Sequence, residues 1–576
     1  MSTNTQLAKI FHTMAVILEI KGESGFKVNA HTKVARLLEE MVEDISTIDD
    51  PTSISGIGKS SAMKIQQYID TGSVPEFVEL CASIPSGLLD VMRVQGLGPK
   101  TVGLLWQEAD VVDIPTLRTA IEDGRLESLP RMGKKTIDNI SDALAFLESN
   151  AGRTRIGDAM PLAEAIIASL GSVDGVHEIA FAGSLRRGKE TIGDIDILAS
   201  TSDPTRLADS FCSMPQVTKV LASGRTKCSV RIESGMQVDL RIIDESAFGA
   251  ALLYFTGSKE HNVLLRQRAA KQGKRLNEYG VFVDDGDETP PQQRGVEPIA
   301  TRTEESIYAA LQLSWIPPEL REDRGELEID RVDSLVTEKD IKSDLHCHTT
   351  ASDGYMSIEE LAMYGIARGY HTIAVTDHSQ SSAQANGLKP DRLRRHIEAV
   401  REANESVKGI TILAGSEVDI LANGDLDYDD ELLSMLDIVV ASPHVSLQQP
   451  PADATKRLLA AIEHPLVNII GHPTGRLVNR RKGLEPDMQT IVAAAAEHNT
   501  ALELNANSLR LDLRDTHVRA AVGEGAMISI NTDAHVPEHF DQLRYGILTA
   551  RRGWLTPLGC INCLSKEDLA AWLDRT

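Results

Sequence analysis

Two aspartates one residue apart, Asp194 and Asp196, stand in GSLRRGKETIGDIDIL (183–198), behind a Gly183-Ser184 turn and an arginine pair that includes Arg187. A third aspartate, Asp239, follows in MQVDLRII (236–243). Carboxylates grouped in this way can hold two divalent cations about 3.5 to 4 Å apart, which activate an attacking hydroxyl and stabilise the leaving oxygens of a phosphoryl transfer. The phosphates need donors of their own, and the Ser184 hydroxyl, the turn and the forked Arg187 guanidinium can supply them. A surface salt bridge is the plainer account of one Asp-x-Asp beside arginines. Three carboxylates on two alternating segments are better explained by acids that face metals and a base that faces phosphates.

A second set lies further on. His346, His348 and Asp353, then His378, Glu417, His444 and His472, and finally Asp533 with His535 end or directly follow six short apolar runs. One buried histidine is more often a satisfied core residue than a ligand, but nine such groups at equivalent positions are hard to explain by packing. Imidazole with a minority of carboxylate suits zinc, manganese or iron better than magnesium or calcium.

These groups need elements to carry them. In DIDILAS the alternation puts Asp194 and Asp196 on one strand face with Ile195 and Ile197 on the other, and Asp239 shares a face with Arg241 in the same way. The second set rides on seven β-rich runs: IKSDLHCH, HTIAVTDH, ITILAGSEV, LDIVVASPH, LVNIIGHP, ALELNAN and MISINTDAH. Helical segments separate most of them, which predicts a barrel of parallel strands with outer helices and a site at the strands' carboxyl ends. Residues 325–341 are charged and read as a linker before it.

The first 150 residues read as helices broken by glycine hairpins. SISGIGKSSAMKI (53–65) carries Gly56 and Gly58, VQGLGPKTVGLL (94–105) carries Gly96 and Gly98, and LPRMGKKTIDNI (129–140) keeps only Gly133. Glycine lets the backbone turn tightly, and amides at the next helix start can face a phosphate. Such contacts position DNA without reading its sequence. With a formal charge of −25 the chain has no general basic coat for nucleic acid, so any DNA contact is local. The six cysteines form no secreted-type framework, and the CxxC at Cys560 and Cys563 has no second pair. There is neither a run of about 18 apolar residues nor a basic-then-apolar leader, so a cytoplasmic, membrane-free protein is expected.

The region around the three aspartates resembles the nucleotidyltransferase palm of family X DNA polymerases, with matches at Gly183, Ser184, Arg187, Gly193, Asp194, Asp196 and Asp239. YFTGSKEHN (254–262), LNEYGVF (276–282) and IPPELREDRGELE (316–328) are similar to that family's thumb. The resemblance implies that Tyr254, Phe255 and Gly257 line the sugar pocket, that Asn262 reaches the base edge and that Arg266 meets the template. The hairpins resemble helix-hairpin-helix motifs. Lys64 matches the Schiff-base lysine of members that trim abasic sugar phosphates, an exposed helical lysine being the alternative. Ser60 and His31 depart from the family, which can carry lysine and commonly has tyrosine there.

Residues 342–576 resemble a PHP (polymerase and histidinol phosphatase) domain, whose nine-ligand cluster of up to three metals matches the second set one by one. Asp353 stands where some members have histidine. The resemblance implies Mg²⁺ or Mn²⁺ at the palm, and Zn²⁺ and/or Mn²⁺ at the PHP site. Gapped or nicked DNA and dNTPs are the implied partners. The implied work is base-excision and gap repair, with 3′-end exonuclease, 3′-phosphatase or abasic endonuclease activity in the barrel.

The expected organisation is an all-α helix-hairpin-helix region (1–90, then a fingers-like 91–155), an α+β palm (156–250), a thumb (251–324), the linker and a distorted (β/α)7 PHP barrel, in a monomer. Two other readings stay open: a small-ester phosphoesterase with a passive polymerase half, and a DNA-binding scaffold whose metals are structural.

Overall fold

The computed structural model describes residues 3–41, 44–94, 96–149, 152–328 and 334–574. The chain divides into two compact units, residues 1–151 with 480–482, and residues 152–479 with 483–576. Among the described residues no helix is long and apolar enough to cross a membrane.

The first unit is all helical. Leu7, Phe11, Val34, Leu38, Ile57 and Ile65 form one core, and Ile84, Leu88, Val102, Leu105, Leu117 and Ile140 belong to another. Each hairpin opens a helix: α1 (Lys59–Thr71), α2 (Pro99–Ala109) and α3 (Lys134–Ser149). In the first two, the leading glycine takes a left-handed turn, Gly56 at φ 109° and Gly96 at φ 91°, while Gly58 and Gly98 become the helix N-caps. In the third, Arg131 occupies the left-handed place at φ 67°, although a side chain is disfavoured there.

The second unit holds the palm, the thumb and the barrel. The palm sheet contains β1 (Val176–Phe181), β2 (Asp194–Thr201), β3 (Val217–Ala222), β4 (Lys227–Ile232) and β5 (Gln237–Ile242), in the order β1-β2-β5-β4-β3. Strands β2 and β5 run parallel, with Asp196 paired to Asp239. Ile195, Ile197, Val238 and Leu240 are fully buried, as the alternation predicts. Leu511 and Tyr545 from the barrel pack into this palm core.

Seven parallel strands follow in chain order: β6 (Ser343–Cys347), β7 (Thr372–Val375), β8 (Thr411–Asp419), β9 (Ile438–Ser442), β10 (Ile469–Ile470), β11 (Ala501–Asn505) and β12 (Ile528–Asn531). The first and last approach closure, because Leu345 N donates to Asn531 Oδ1 at 3.1 Å and Cys347 bridges Ala534. Residues 329–333 of the stretch read as a linker lie outside the described residues. On either side of them the chain is packed: Glu326 is buried and lies 2.7 Å from His261 Nδ1, while Leu335 and Val336 enter apolar clusters.

Palm and thumb are locked by a buried carboxylate. Glu304 receives Arg186 Nη1 and Nη2 at 2.7 and 2.9 Å, and Arg321 Nη1 and Nη2 at 2.7 and 3.0 Å. Arg321 is wholly buried and also donates to the Ile316 carbonyl. Burial alone would raise the Glu304 carboxyl, but the two guanidiniums hold it far below the usual carboxylate range. Removing one partner from a buried pair strands a charge. Glu304→Ala should therefore lower the unfolding free energy of the second unit by about 3 to 5 kcal/mol, read by urea denaturation.

Candidate metal centres and nucleic-acid interface

The palm centre is built by register. Parallel pairing sets Asp196 opposite Asp239, and Asp194 stands two residues before Asp196 on the same face. The turn Gly183–Arg186 (α4) lies over Asp196, because a Cβ on Gly183 would fall 2.5 Å from Asp196 Oδ2, and Gly183 has φ 61°. Only glycine satisfies both conditions. Burial, then the charges of Asp194 and Asp239, push the Asp196 carboxyl up to about 6. Asp239 moves the other way despite its burial. Bonds from Ser229, Gln237 and Lys227 hold it below the usual range, with Lys227 Nζ 3.1 Å from Oδ2 and Gln237 Nε2 2.9 Å from Oδ1. Three crowded carboxylates with one raised pKa form a donor set suited to divalent cations.

Arg187 stands beside this turn, but its guanidinium is engaged. Its Nε lies 2.9 Å from Glu322 Oε1, and Nη1 donates to the Thr256 carbonyl at 2.5 Å. Glu322 also receives Arg552 at 2.9 Å and faces Lys189 at 3.5 Å. Burial opposes its ionisation, yet Arg552 and Arg187 hold its carboxyl at about 2. Neither Glu322 nor Arg552 is signalled by spacing in the sequence.

In the thumb, Tyr254, Asn262 and Arg266 line one small cavity with Leu253 and Asn277. Asn262 Nδ2 donates to the Tyr254 carbonyl at 2.7 Å, which fixes its amide. Phe255 lies edge-on to Tyr254 and under the Arg241 guanidinium, 4.1 Å from the ring centre. Gly257, at φ 67°, ends the helix that carries these aromatics. Gly193 precedes Asp194, near Arg153.

In the first unit, α1 and α2 begin at glycine caps with no side-chain acceptor for their free amides, and Lys59, Lys100, Lys134 and Lys135 stand in the first turns of α1 to α3. Orphan amides beside exposed lysines suit backbone phosphates. Lys64 is not the exposed residue that forms the alternative to a nucleophile. It is 3% exposed, with Nζ 2.9 Å from Glu76 Oε2 and 2.9 Å from Ser60 Oγ. The Ser60 side chain, where the family can carry lysine, here accepts a bond from Lys64.

The barrel brings together all nine residues of the second set. His348, Asp353, His378 and His535 form one group whose ligand atoms lie within 4.8 Å of one another, as do His346, His348 and Asp533, and His378, Glu417 and His444. His472 Nε2 lies 2.9 Å from Glu417 Oε1. Several buried atoms there lie close to one another yet make no well-aligned hydrogen bond: His346 Nε2, both nitrogens of His348 and of His472, His378 Nδ1, His444 Nε2 and Glu417 Oε1. Buried lone pairs left unpaired are costly, and their convergence is the arrangement that cations satisfy. Burial disfavours the Glu417 carboxylate, but His444, His378 and His346 hold its pKa well below the usual range. His472 and Asp533 have φ of 25° and 52°, a strained backbone of the kind found where ligands must be aimed.

Outer partners orient these ligands. Glu503 Oε1 lies 2.7 Å from His346 Nδ1, and its Oε2 accepts from His472 N at 2.6 Å. Asp419 Oδ1 lies 2.9 Å from His444 Nδ1, and Asn505 donates to Asp533 at 3.0 Å. A carboxylate behind a ligating imidazole fixes its tautomer and raises its basicity. Glu503 sits in ALELNAN, the run to which no ligand is assigned from sequence. A glutamate inside an apolar strand was the available signal.

The raised Asp196 carboxyl makes ion binding at the palm depend on pH. Because its folded pKa is raised, it favours the metal-free fold fully below its unfolded pKa, and this contribution is lost as pH rises through about 6. Metal binding displaces the proton. The Mg²⁺-induced rise in melting temperature should therefore be largest above about pH 6 and shrink below it, and the part removed by Asp196→Asn should carry that pH dependence.

Five family descriptions match the chain: a helix-hairpin-helix domain at 2–74, a SAM-like helix-hairpin-helix tandem at 88–145, the DNA polymerase beta palm at 158–234, the DNA polymerase beta thumb at 251–322 and the PHP domain at 344–507. Among curated relatives, the "DNA polymerase/3'-5' exonuclease PolX" of Bacillus subtilis (strain 168) is 40% identical over 575 residues, 99% of each chain. A "Probable phosphatase" of Edwardsiella ictaluri (strain 93-146) is 34% identical over 203 residues, 34% of this chain and 78% of its own. Another "Probable phosphatase", from Thermoanaerobacter sp. (strain X514), is 30% identical over 204 residues, covering 34% and 78%. With a full-length relative and every part matched in order, the chain belongs to the family X DNA polymerases that carry a carboxyl-terminal PHP domain.

Proposed function

We propose that the chain fills short DNA gaps by templated dNTP addition and that its barrel removes or cleans 3′ ends by metal-dependent phosphoester hydrolysis. The observation that carries the first half is the parallel register of Asp196 with Asp239 beneath the Gly183–Arg187 turn. Divalent cations, Mg²⁺ or Mn²⁺ at the palm and Zn²⁺ and/or Mn²⁺ in the barrel, supply Lewis acidity when bound, lowering hydroxyl or water pKa and offsetting charge on leaving oxygens. Asp194, Asp196 and Asp239 would hold the palm ions. Ser184 and the turn amides orient the triphosphate, Tyr254 and Phe255 shape the sugar pocket, and Asn262 offers its remaining amide edge to the base. The hairpins hold the duplex by its backbone, which suits a substrate defined by a gap rather than by sequence.

In the barrel, Glu417 stands amid His346, His378, His444 and His472 and would hold the ions together with them. The bacillary relative's name pairs polymerase with 3′–5′ exonuclease, which supports the same pairing here. The phosphatase relatives match only part of the chain, and they favour a second reading of the barrel alone, as a hydrolase of terminal phosphomonoesters.

Two measurements on one labelled gapped substrate test the division of labour. Asp196→Ala should suppress primer extension by at least about a thousandfold, since loss of a metal ligand removes several kcal/mol of transition-state stabilisation. Extension within about tenfold of wild type would refute the assignment. Replacing His346 and His348 together should abolish Mn²⁺-stimulated 3′-end degradation while gap filling persists. A stably folded double variant that still degrades 3′ ends at the wild-type rate sinks the barrel's role. A 3′-phosphorylated primer separates phosphatase from exonuclease.

A further inference from the structure

Between palm and barrel the second unit encloses a cavity of about 550 Å³. Arg153, Arg187, Lys189, Arg324, Arg514 and Arg552 line it, with Glu190 and Asp515 as its acids. In a chain of net charge −25 this is an unusual concentration of cations. Nearby acids do not cancel it. Arg187, Lys189 and Arg552 share the single carboxylate of Glu322, Arg324 and Arg552 share Asp515, and Glu190 is taken by Arg476. Arg153 donates to Thr191 rather than to an acid. Arg514 makes no ion pair among the described residues, and its buried Nε has no hydrogen-bond partner. An unpaired guanidinium in a partly enclosed cationic cavity calls for an anion with several acceptor oxygens.

The cavity's palm wall includes Ser184 and Arg187, the proposed triphosphate contacts. Its Arg153 Nη1 lies 3.5 Å from where a Cβ on Gly193 would stand, next to Asp194. That wall makes the cavity part of the triphosphate site of the proposed polymerase, and we propose that Arg514, a barrel residue, completes it by donating to phosphate oxygens of the incoming nucleotide and of the pyrophosphate it becomes. In the transfer, the 3′ oxygen loses its proton to solvent and bonds to the α-phosphorus. The bond from that phosphorus to the α–β bridging oxygen breaks, and pyrophosphate leaves with the electron pair. The cavity's charge holds these phosphate oxygens both before and after that bond breaks. Glu322 holds Arg187 until phosphate oxygens compete for it, and Arg552 offers Glu322 an alternative cation.

This inference rests on the polymerase reading, and its test keeps the two apart. In the full-length protein on gapped DNA, Arg514→Gln should raise the dNTP KM about tenfold with kcat within about twofold, because the contact is made in ground and transition states alike. The inhibition constant of inorganic pyrophosphate should rise in parallel, with DNA affinity unchanged. Lys189→Gln, on the palm wall with a side chain 37% exposed, should move the same two constants about threefold and serves where the arginine variant does not fold. Unchanged KM and pyrophosphate inhibition in the folded variants overturn the proposal. So does weaker DNA binding with both constants unchanged, which assigns the cavity to the DNA backbone. Calorimetry with Mg²⁺ and pyrophosphate, without DNA, reads the site independently: wild-type protein that binds pyrophosphate through Arg514 but extends no primer defeats only the polymerase reading, and wild-type protein that binds none defeats this one.

Discussion

Groups that repel or compete must be held side by side at both centres, and much of the second unit follows from that constraint. Asp194, Asp196 and Asp239 crowd one face of the palm sheet, and nine candidate ligands crowd the barrel mouth. Burial opposes the ionised carboxylates at both centres, and at Asp196 the charges of Asp194 and Asp239 add to it. The fold answers with rigidity. Strand backbones fix the direction of the three palm aspartates, His346 and Glu417, the other barrel residues follow the strand ends, and an outer ring of Glu503, Asp419 and Asn505 restrains His346, His444 and Asp533. Cations then complete an arrangement that the protein has already assembled.

The same solution recurs away from the metals with the signs exchanged. Glu304 is clamped between Arg186 and Arg321, and Glu322 is shared by Arg187, Lys189 and Arg552. Both carboxylates engage the turn that carries Ser184. One ties that turn to the thumb and the other ties it to the barrel, so its position reports on both neighbours at once. Charge thus joins the apolar packing of Leu511 and Tyr545 in linking palm and barrel.

Wherever chemistry follows a short period it was legible in the sequence. Alternation in DIDILAS and MQVDLRII identified the palm strands, the seven apolar runs identified the barrel strands, and Gly-x-Gly identified two hairpins. The third hairpin was legible only in part, because Arg131 takes the left-handed place with no glycine to mark it. Less was visible where partners come from distant segments. Glu322 and Arg552 are 230 positions apart, and Glu503 stands 157 from His346. Lys64 shows a similar limit, since its helix has exposed neighbours and its burial depends on tertiary packing with Glu76.

The period-two alternation of β2 makes its register decisive. Shifting this strand by a single residue against β5 would turn Asp194 and Asp196 toward the core and bring Ile195 and Ile197 out to face solvent. No intermediate register exists between these outcomes. Assembly of the palm centre is therefore a yes-or-no event, and a molecule in which this sheet has formed correctly has its ligand geometry settled before any ion or nucleotide arrives.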